Sequence, residues 1–509
     1  MKTQSRPTTD NNFSNKVVNL LGSLRFFYFT LIVFILEGVW IAFSALYPQA
    51  FDENFHFGLI KLYSHYWLPF LTKQPPDANQ FGAVTRDPSF LYHYLMSFPY
   101  RFIALFIHSI DLRVIIIRLI DVAFFTLGII VFRKLLLKVG VSKSLSNFIL
   151  FIFILIPIVP QLAAQVNYDD LLFLLVGWIF LQALNILDVI KKKKIDFSKL
   201  LILFISCLFT TLVKYAFAPI FFAIFVFISY YIFINFRHNF KTFKNDLLTS
   251  YLKTSLMRKV ILLVLVVVAI GLFAERDGVN IVRYHSIAPN CSRVLNVKDC
   301  SAYSPWYVDY QRHQIVLQKG AYANFNIFGY TYQWFYWMWY RLFFAVNGLS
   351  SNFYSYPPLP LPSIAAIILA VTGLLAFIRW YKKLLAKPYI TFLFFTCAIY
   401  LVTLFIKSYA SYRYTAVFEN MNGRYLIPIL LPLGAIIALA FSRVLRKSLN
   451  QRVISVIIVS ILFLEGGGIL TFVLRSDDSW YWPNKTISKV NNEAQKIAKH
   501  TVVKLRLKK

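Results

Sequence analysis

The sequence predicts an all-α polytopic membrane protein, and three observations carry that expectation. Hydrophobic residues make up 58% of the 509, with a mean hydropathy of +0.60. Apolar runs of about 20 residues, the length a helix needs to cross a bilayer, recur along nearly the whole chain. Basic residues collect in the short stretches between those runs. Fifty-three Lys and Arg against 22 Asp and Glu leave a formal charge of +31, which in a soluble chain points to nucleic acid. Here the loop positions match the cytoplasmic bias of Lys and Arg in membrane proteins, so the expected partner is a lipid bilayer and not nucleic acid.

Spans are predicted at residues 26–46, 114–131, 148–163, 171–190, 200–213, 217–234, 260–273, 363–377, 389–406, 425–441 and 453–474, about eleven transmembrane helices in all. The runs at 200–213 and 260–273 are short for a bilayer, so flanking residues extend them or they insert only in part. Because orientation alternates from span to span, loop charge tests the count. Arg133, Lys134, Lys138 and Lys143 fall in one loop, and Lys191, Lys192, Lys193, Lys194 and Lys199 in a second. Arg237, Lys241, Lys244, Lys253, Arg258 and Lys259 fall in a third, Arg379, Lys382, Lys383 and Lys387 in a fourth, and Arg443, Arg446, Lys447 and Arg452 in a fifth. All five come out on one face, which the Lys/Arg rule makes cytoplasmic.

The opposite face then holds two large outer loops, at about 47–113 and 274–362, and short turns at 167–170, around Lys214 and at 407–424. Residues 1–474 form one multi-pass domain and 475–509 a basic C-terminal tail. The first apolar run is long enough to span and lacks a small-residue cleavage site, so an uncleaved anchor in the cytoplasmic membrane is expected. Cys291 and Cys300 share the second outer loop, where an oxidising compartment allows a disulfide, while Cys207 and Cys397 sit inside spans. In the first loop, 55–70 and 90–107 repeat apolar residues at helical spacing and read as interfacial helices. The aromatic stretch 330–340 reads as a third, either an anchoring belt or a sugar-stacking platform. Trp480, Tyr481 and Trp482 fall at the interface, ahead of a basic amphipathic run that binds anionic lipid or glycan if it lies outside.

Asp52 and Glu53 stand just beyond the first span. Carboxylates at a membrane boundary are costly to desolvate and are read as functional, with a solvated helix cap as the alternative. A second acidic cluster, Asp169 and Asp170 after Asn167-Tyr168, occupies an outward turn where turn chemistry alone also favours Asn and Asp. Asp87 is a further acidic candidate. Lys214 interrupts an apolar stretch, as a lipid-phosphate contact or as a snorkelling side chain, and Lys407 and Arg413 fall near the same face. Inside the spans, Arg118 and Asp121 are three apart and are expected to pair with each other, while Glu37 has no local partner.

The run Asp52-Glu53-Asn54-Phe55-His56-Phe57-Gly58 resembles the Asp-Glu-Val-His-Phe-Gly motif of protein O-mannosyltransferases, with one residue inserted. Those enzymes belong to the GT-C superfamily of membrane glycosyltransferases. Arg86-Asp87-Pro88-Ser89-Phe90-Leu91-Tyr92-His93 is similar to the Pro-Pro-Leu-Tyr-Tyr segment of their bacterial relatives, and Arg424-Tyr425-Leu426-Ile427-Pro428 to an Arg-Tyr-x-x-Pro helix opening late in the same group. The order of the motifs, the large first outer loop and the helix count agree across most of the chain. There is no soluble sugar-binding domain of the eukaryotic type.

The resemblance implies transfer of a sugar from a polyprenyl-phosphate-linked donor to a glycan, lipid or protein acceptor on the extracytoplasmic side. The leaving phosphate needs no proton, so a single carboxylate suffices to deprotonate the acceptor hydroxyl, and Asp52 is the expected general base with Glu53 in support. His56, Asp87, His93, Asp169, Asp170, Lys214, Arg424 and Tyr425 are the expected substrate contacts, the cations serving the lipid phosphate. No cofactor is demanded, and a divalent metal held by Glu53 or by the Asp169-Asp170 turn is the one alternative the acids leave open. The competing class is a transporter or flippase of lipid-linked glycans, against which stand the outward acids and the lack of an inverted repeat in the sequence.

Overall fold

The computed structural model describes residues 9–49, 52–318, 326–343, 360–418, 420–444, 449–464 and 478–507. Residues 319–325 and 344–359 of the second expected outer loop, 465–474 of the last expected span, and Arg446 and Lys447 lie outside the described residues. Within them the chain is helical, with no strand and one isolated antiparallel bridge between Ala45 and Tyr481. Eight helices are long and apolar enough to cross a membrane, and three more are apolar but shorter. The architecture is that of a polytopic α-helical membrane protein.

In chain order, α1 (Thr9–Gly22) leads into α2 (Leu24–Ser44), α3 (Glu53–Tyr63) and α4 (Leu91–Phe106) fill the first loop, and α5 (Ile110–Val139) follows. The span expected at 148–163 is two pieces, α6 (Lys143–Ile154) and α7 (Ile158–Ala163). Pro157 and Pro160 lack the N–H that a continuous helix requires there. Next come α8 (Tyr168–Lys191), α9 (Phe197–Val213), α10 (Ala218–Phe236), α11 (Phe240–Lys253), α12 (Leu256–Phe273) and α13 (Val279–Tyr284). A π-helical turn at Ala274–Gly278 joins the last two. Short helices α14 (Cys291–Val294), α15 (Val297–Cys300), α16 (Ser304–Gln318) and α17 (Ile327–Tyr340) precede α18 (Pro360–Leu385), α19 (Pro388–Thr415), α20 (Ile427–Val444), α21 (Leu449–Leu464) and α22 (Lys485–Leu507).

The core sits where α5 packs on α8, with Phe173 stacked on Phe125 at 4.2 Å and on Phe132 at 4.6 Å. Polar contacts sort the helix termini into two ends. At one, Lys138 pairs with Asp188, Lys193 reaches Asn235 O, Arg133 Nε donates to Asn147 Oδ1 at 2.8 Å, and Asn147 Nδ2 donates to Leu21 O at 2.7 Å. The described members of the basic loops gather here. Asp52 lies at the other end, as do Val166, Lys214 and Arg424.

Two expectations change on this frame. The helix begun by α12 runs to Tyr284 instead of stopping at Phe273, because the first loop meets the guanidinium of Arg276. Arg276 is fully buried, donating through Nη1 to Val84 O at 3.0 Å and Asp87 O at 3.1 Å and through Nη2 to Pro69 O at 3.3 Å. The expected Arg118 to Asp121 pair does not form. Arg118 turns to Glu53 and Asp121 Oδ2 accepts from Tyr92 OH at 2.7 Å, since partners from other helices offer better geometry than a neighbour one turn away. The aromatic stretch splits into two faces: Tyr330, Trp334 and Met338 bury against α19, while Tyr332, Phe335 and Tyr336 are exposed.

Candidate functional site

Asp52 occupies the N-cap position of α3 with a left-handed backbone (φ 70°), and its side chain does not cap the helix. Its carboxylate, 58% exposed, is free to project outward, and its Oδ2 accepts from Arg424 Nη2 at 2.9 Å across 372 residues of sequence. Arg424 is set by its neighbours. Asn422 Oδ1 accepts from Arg424 N at 3.1 Å, opening a 3-10 turn over Gly423–Leu426. Gly423 allows the close approach of α17's end, for a Cβ there would lie 2.8 Å from Leu342 N and 2.9 Å from the Arg341 carbonyl carbon. Tyr425 O accepts from Tyr400 OH at 2.8 Å.

Glu53 is fully buried and all of its acceptor capacity is directed at the fold. Oε1 takes Arg118 Nε at 2.7 Å and Val166 N at 3.0 Å; Oε2 takes Arg118 Nη2 and Gln49 N, both at 2.7 Å. Arg118 also donates to Ala42 O and Ala45 O. Glu53 therefore pins the end of α2, the loop after α7 and the start of α3 to one guanidinium. It is a positioning residue for Asp52, and with both oxygens engaged it has nothing left for a metal. Among the described residues no group of three or more His, Cys, Asp or Glu converges as a metal site.

One turn along α3, His56 faces His93 of α4 with stacked rings and Nδ1 to Nε2 at 2.9 Å. Both are buried, and Tyr168 abuts His56 edge-on at 4.4 Å. Burial holds the His56 imidazole well below its usual value, with His93, Arg424 and Lys214 pushing the same way. Burial likewise depresses His93, to about 3. A neutral pair results, one ring donating and the other accepting.

Asp169 and Asp170, adjacent in sequence, are used differently. Asp169 pairs with the buried Lys214, whose ammonium also lies 4.4 Å from the Tyr168 ring centre and 5.2 Å from that of Tyr425. Asp170 is fully buried beneath, and neither of its oxygens has a hydrogen-bond partner among the described residues. Asp87 shapes the loop: its Oδ1 accepts from Ser89 N at 2.9 Å. Burial raises its carboxyl, opposed by that N–H and by Arg276. Lys407 bonds to Tyr215 OH over the ring, and Arg413 is exposed.

Cys291 and Cys300 are disulfide-bonded, and the turn they close carries a residue that motif reading passed over. Tyr303 N donates to Cys300 O at 3.0 Å, and its ring meets Phe55 at 5.9 Å and lies over Gly82. Burial raises the phenol, helped by the negative charges of Asp52 and Asp87. Its only sequence signal is the nearby cysteine. Arg276 was also missed, although the charged triplet after an apolar run was visible.

The site thus combines an outward carboxylate, two buried cations and an aromatic rim. It is equipped to accept a proton and to hold an anion side by side at the end of a transmembrane bundle. Fold and site together define a polytopic α-helical membrane protein with a polar centre at one end of its helices. No family model, curated protein or solved structure matches the chain.

Proposed function

We propose that the protein is a membrane glycosyltransferase of the GT-C type, moving a sugar from a polyprenyl-phosphate-linked donor to an acceptor hydroxyl on the extracytoplasmic face. Counting the three shorter apolar helices as passes beside the eight long ones gives eleven, and with the basic loops cytoplasmic such a count would put Asp52 outside. The observation that carries the reading is the Asp52 to Arg424 contact, which brings the expected base against the expected phosphate ligand.

In the reaction Asp52 takes the proton of the acceptor hydroxyl as its oxygen bonds to the anomeric carbon. The bond from that carbon to the phosphate oxygen breaks, and the polyprenyl phosphate leaves with the electron pair. Arg424 and Lys214 stabilise the negative charge on the leaving group, in a partly dry site where such contacts are strong. A phosphate beside Arg424 competes with Asp52 for the guanidinium and releases the carboxylate for base work. His56 and His93, neutral and packed, shape the wall.

The test is transfer from a radiolabelled polyprenyl-phosphate sugar by protein in proteoliposomes. Asp52→Asn is expected to lower the rate at least about 10²-fold with the fold intact. An unchanged rate removes Asp52 as the base. No transfer from any lipid-linked donor, together with donor-independent glycan export, would favour a transporter.

A further inference from the structure

The C-terminal helix α22 was expected at the outer surface with its aromatic lead-in anchored in lipid. The structure assigns those residues elsewhere. Trp480 and Tyr481 are almost completely buried in protein. Leu46 N donates to Trp480 O at 2.9 Å and Trp482 N to Ser44 O at 3.0 Å, so this segment is laced to the end of the first span, beside the turn leading to Asp52. Because α2 ends at Ser44, α22 starts at the level where a span leaves the hydrocarbon.

From that tether α22 presents three distinct sides over its described residues. Ile487 packs on the core and Asn491 is buried, which sets the side facing the protein. Lys485, Lys489 and Lys496 are exposed on a second side, and the one acid of the helix, Glu493, is bonded to Lys496 at 2.9 Å. Val490 and Ile497, seven residues apart and therefore on one stripe, are 46% and 68% exposed between the other two. The helix as a whole has six Lys or Arg against that one Glu. A stripe of exposed aliphatic side chains flanked by lysines, beginning at the membrane boundary, fits an interface and not open water.

The geometry points to α22 as a docking helix for an anionic lipid surface at the Asp52 end, with Val490 and Ile497 entering the acyl boundary and the lysines meeting acidic headgroups. An anionic polymer would satisfy the lysines but leave the aliphatic stripe in water, and this favours the lipid. The inference is independent of the glycosyltransferase reading.

The experiment uses the full chain in nanodiscs, with a nitroxide introduced at Val490→Cys or Lys489→Cys; the native thiols are buried or disulfide-bonded. In discs containing phosphatidylglycerol, the label at 490 is expected to be open to oxygen and shielded from a water-soluble nickel chelate. In purely zwitterionic discs that shielding weakens, and the label at 489 stays open to nickel in both. Lys485→Gln and Lys496→Gln each lower the shielded-to-exposed ratio in anionic discs, by about fivefold per lysine. A label at 490 equally open to nickel in both discs overturns the proposal. So does shielding that appears only on addition of polyphosphate to zwitterionic discs, which would make the partner a soluble polyanion. Oxygen access at 490 that is identical in both discs and unaffected by the lysine changes would reduce the contact to protein packing and also overturns it.

Discussion

Replacing Glu53 with Gln changes one atom at the meeting point of four hydrogen bonds, and its cost can be worked from the geometry. A glutamine oxygen in the Oε1 position keeps the bonds from Arg118 Nε and Val166 N. Its amide nitrogen then faces Arg118 Nη2 and Gln49 N, two donors that lose this acceptor, Nη2 keeping only a long contact to Leu46 O at 3.5 Å. Two buried donors left unsatisfied cost about 1–3 kcal/mol each, and Arg118, fully buried, loses its counter-ion. Breaking one side of such a pair costs about 3–5 kcal/mol in all. Asp52→Asn, at an exposed carboxylate with one ion-pair contact, is expected to cost under about 1 kcal/mol. Steric-trapping unfolding in bicelles reads both, and Glu53→Gln/Arg118→Met should recover most of the loss because it removes the stranded charge. Equal stabilities for Glu53→Gln and Asp52→Asn would refute the assignment of Glu53 to the scaffold.

Other outcomes follow from neighbouring contacts. Gly423→Ala puts a Cβ 2.8 Å from Leu342 N; backbone cannot step aside as a side chain does, so a loss of about 1–3 kcal/mol is expected, together with weaker lipid-phosphate binding as Arg424 shifts. Lys214→Met leaves Asp169 buried without its ion-pair partner and should destabilise by about 3–5 kcal/mol, and adding Asp169→Asn should restore more than half. The histidine pair makes stability pH-dependent: both imidazoles are depressed in the folded state, so their contribution is complete above the unfolded value near 6.5 and is lost as pH falls below it, for His93 down to about 3. The slope reaches about 1.4 kcal/mol per pH unit for each histidine, and unfolding of His93→Phe between pH 7 and 4 should be flatter than wild type. Tyr303→Phe, which keeps the ring against Phe55 and over Gly82 and removes only the hydroxyl, is expected to raise the acceptor KM with little change in stability; an unchanged KM would detach the Tyr303 hydroxyl from the site.

Much of the fold was legible because the bilayer imposes a simple rule. Segments without water must satisfy their own backbone and be apolar enough to stay, and among the described residues eight expected spans have a helix long and apolar enough to cross a membrane and three have a shorter apolar one. Misreadings occurred where protein replaces solvent. Glu275-Arg276-Asp277 ended a span on paper, yet the first loop wraps Arg276 and the helix continues. Arg118 and Asp121 looked self-neutralising, but each found a partner on another segment. Trp480 and Tyr481 looked like lipid anchors and are buried against the end of α2.

The candidate site divides along the same line. Residue type and order marked Asp52 and Lys214, because charges at the edge of apolar runs are conspicuous in one dimension, while Arg424 was marked by the resemblance of its segment to an Arg-Tyr-x-x-Pro helix opening. Only the folded chain could decide which acid faces outward: Asp52 and Glu53 are adjacent, and the left-handed backbone of Asp52 at the N-cap of α3 sends one to solvent and the other into a guanidinium. The contact of Asp52 with Arg424 spans 372 residues, and the seating of Tyr303 depends on a disulfide turn in another loop. Such pairings depend on how helices pack, and packing is set by the whole set of contacts at once, which no local pattern encodes.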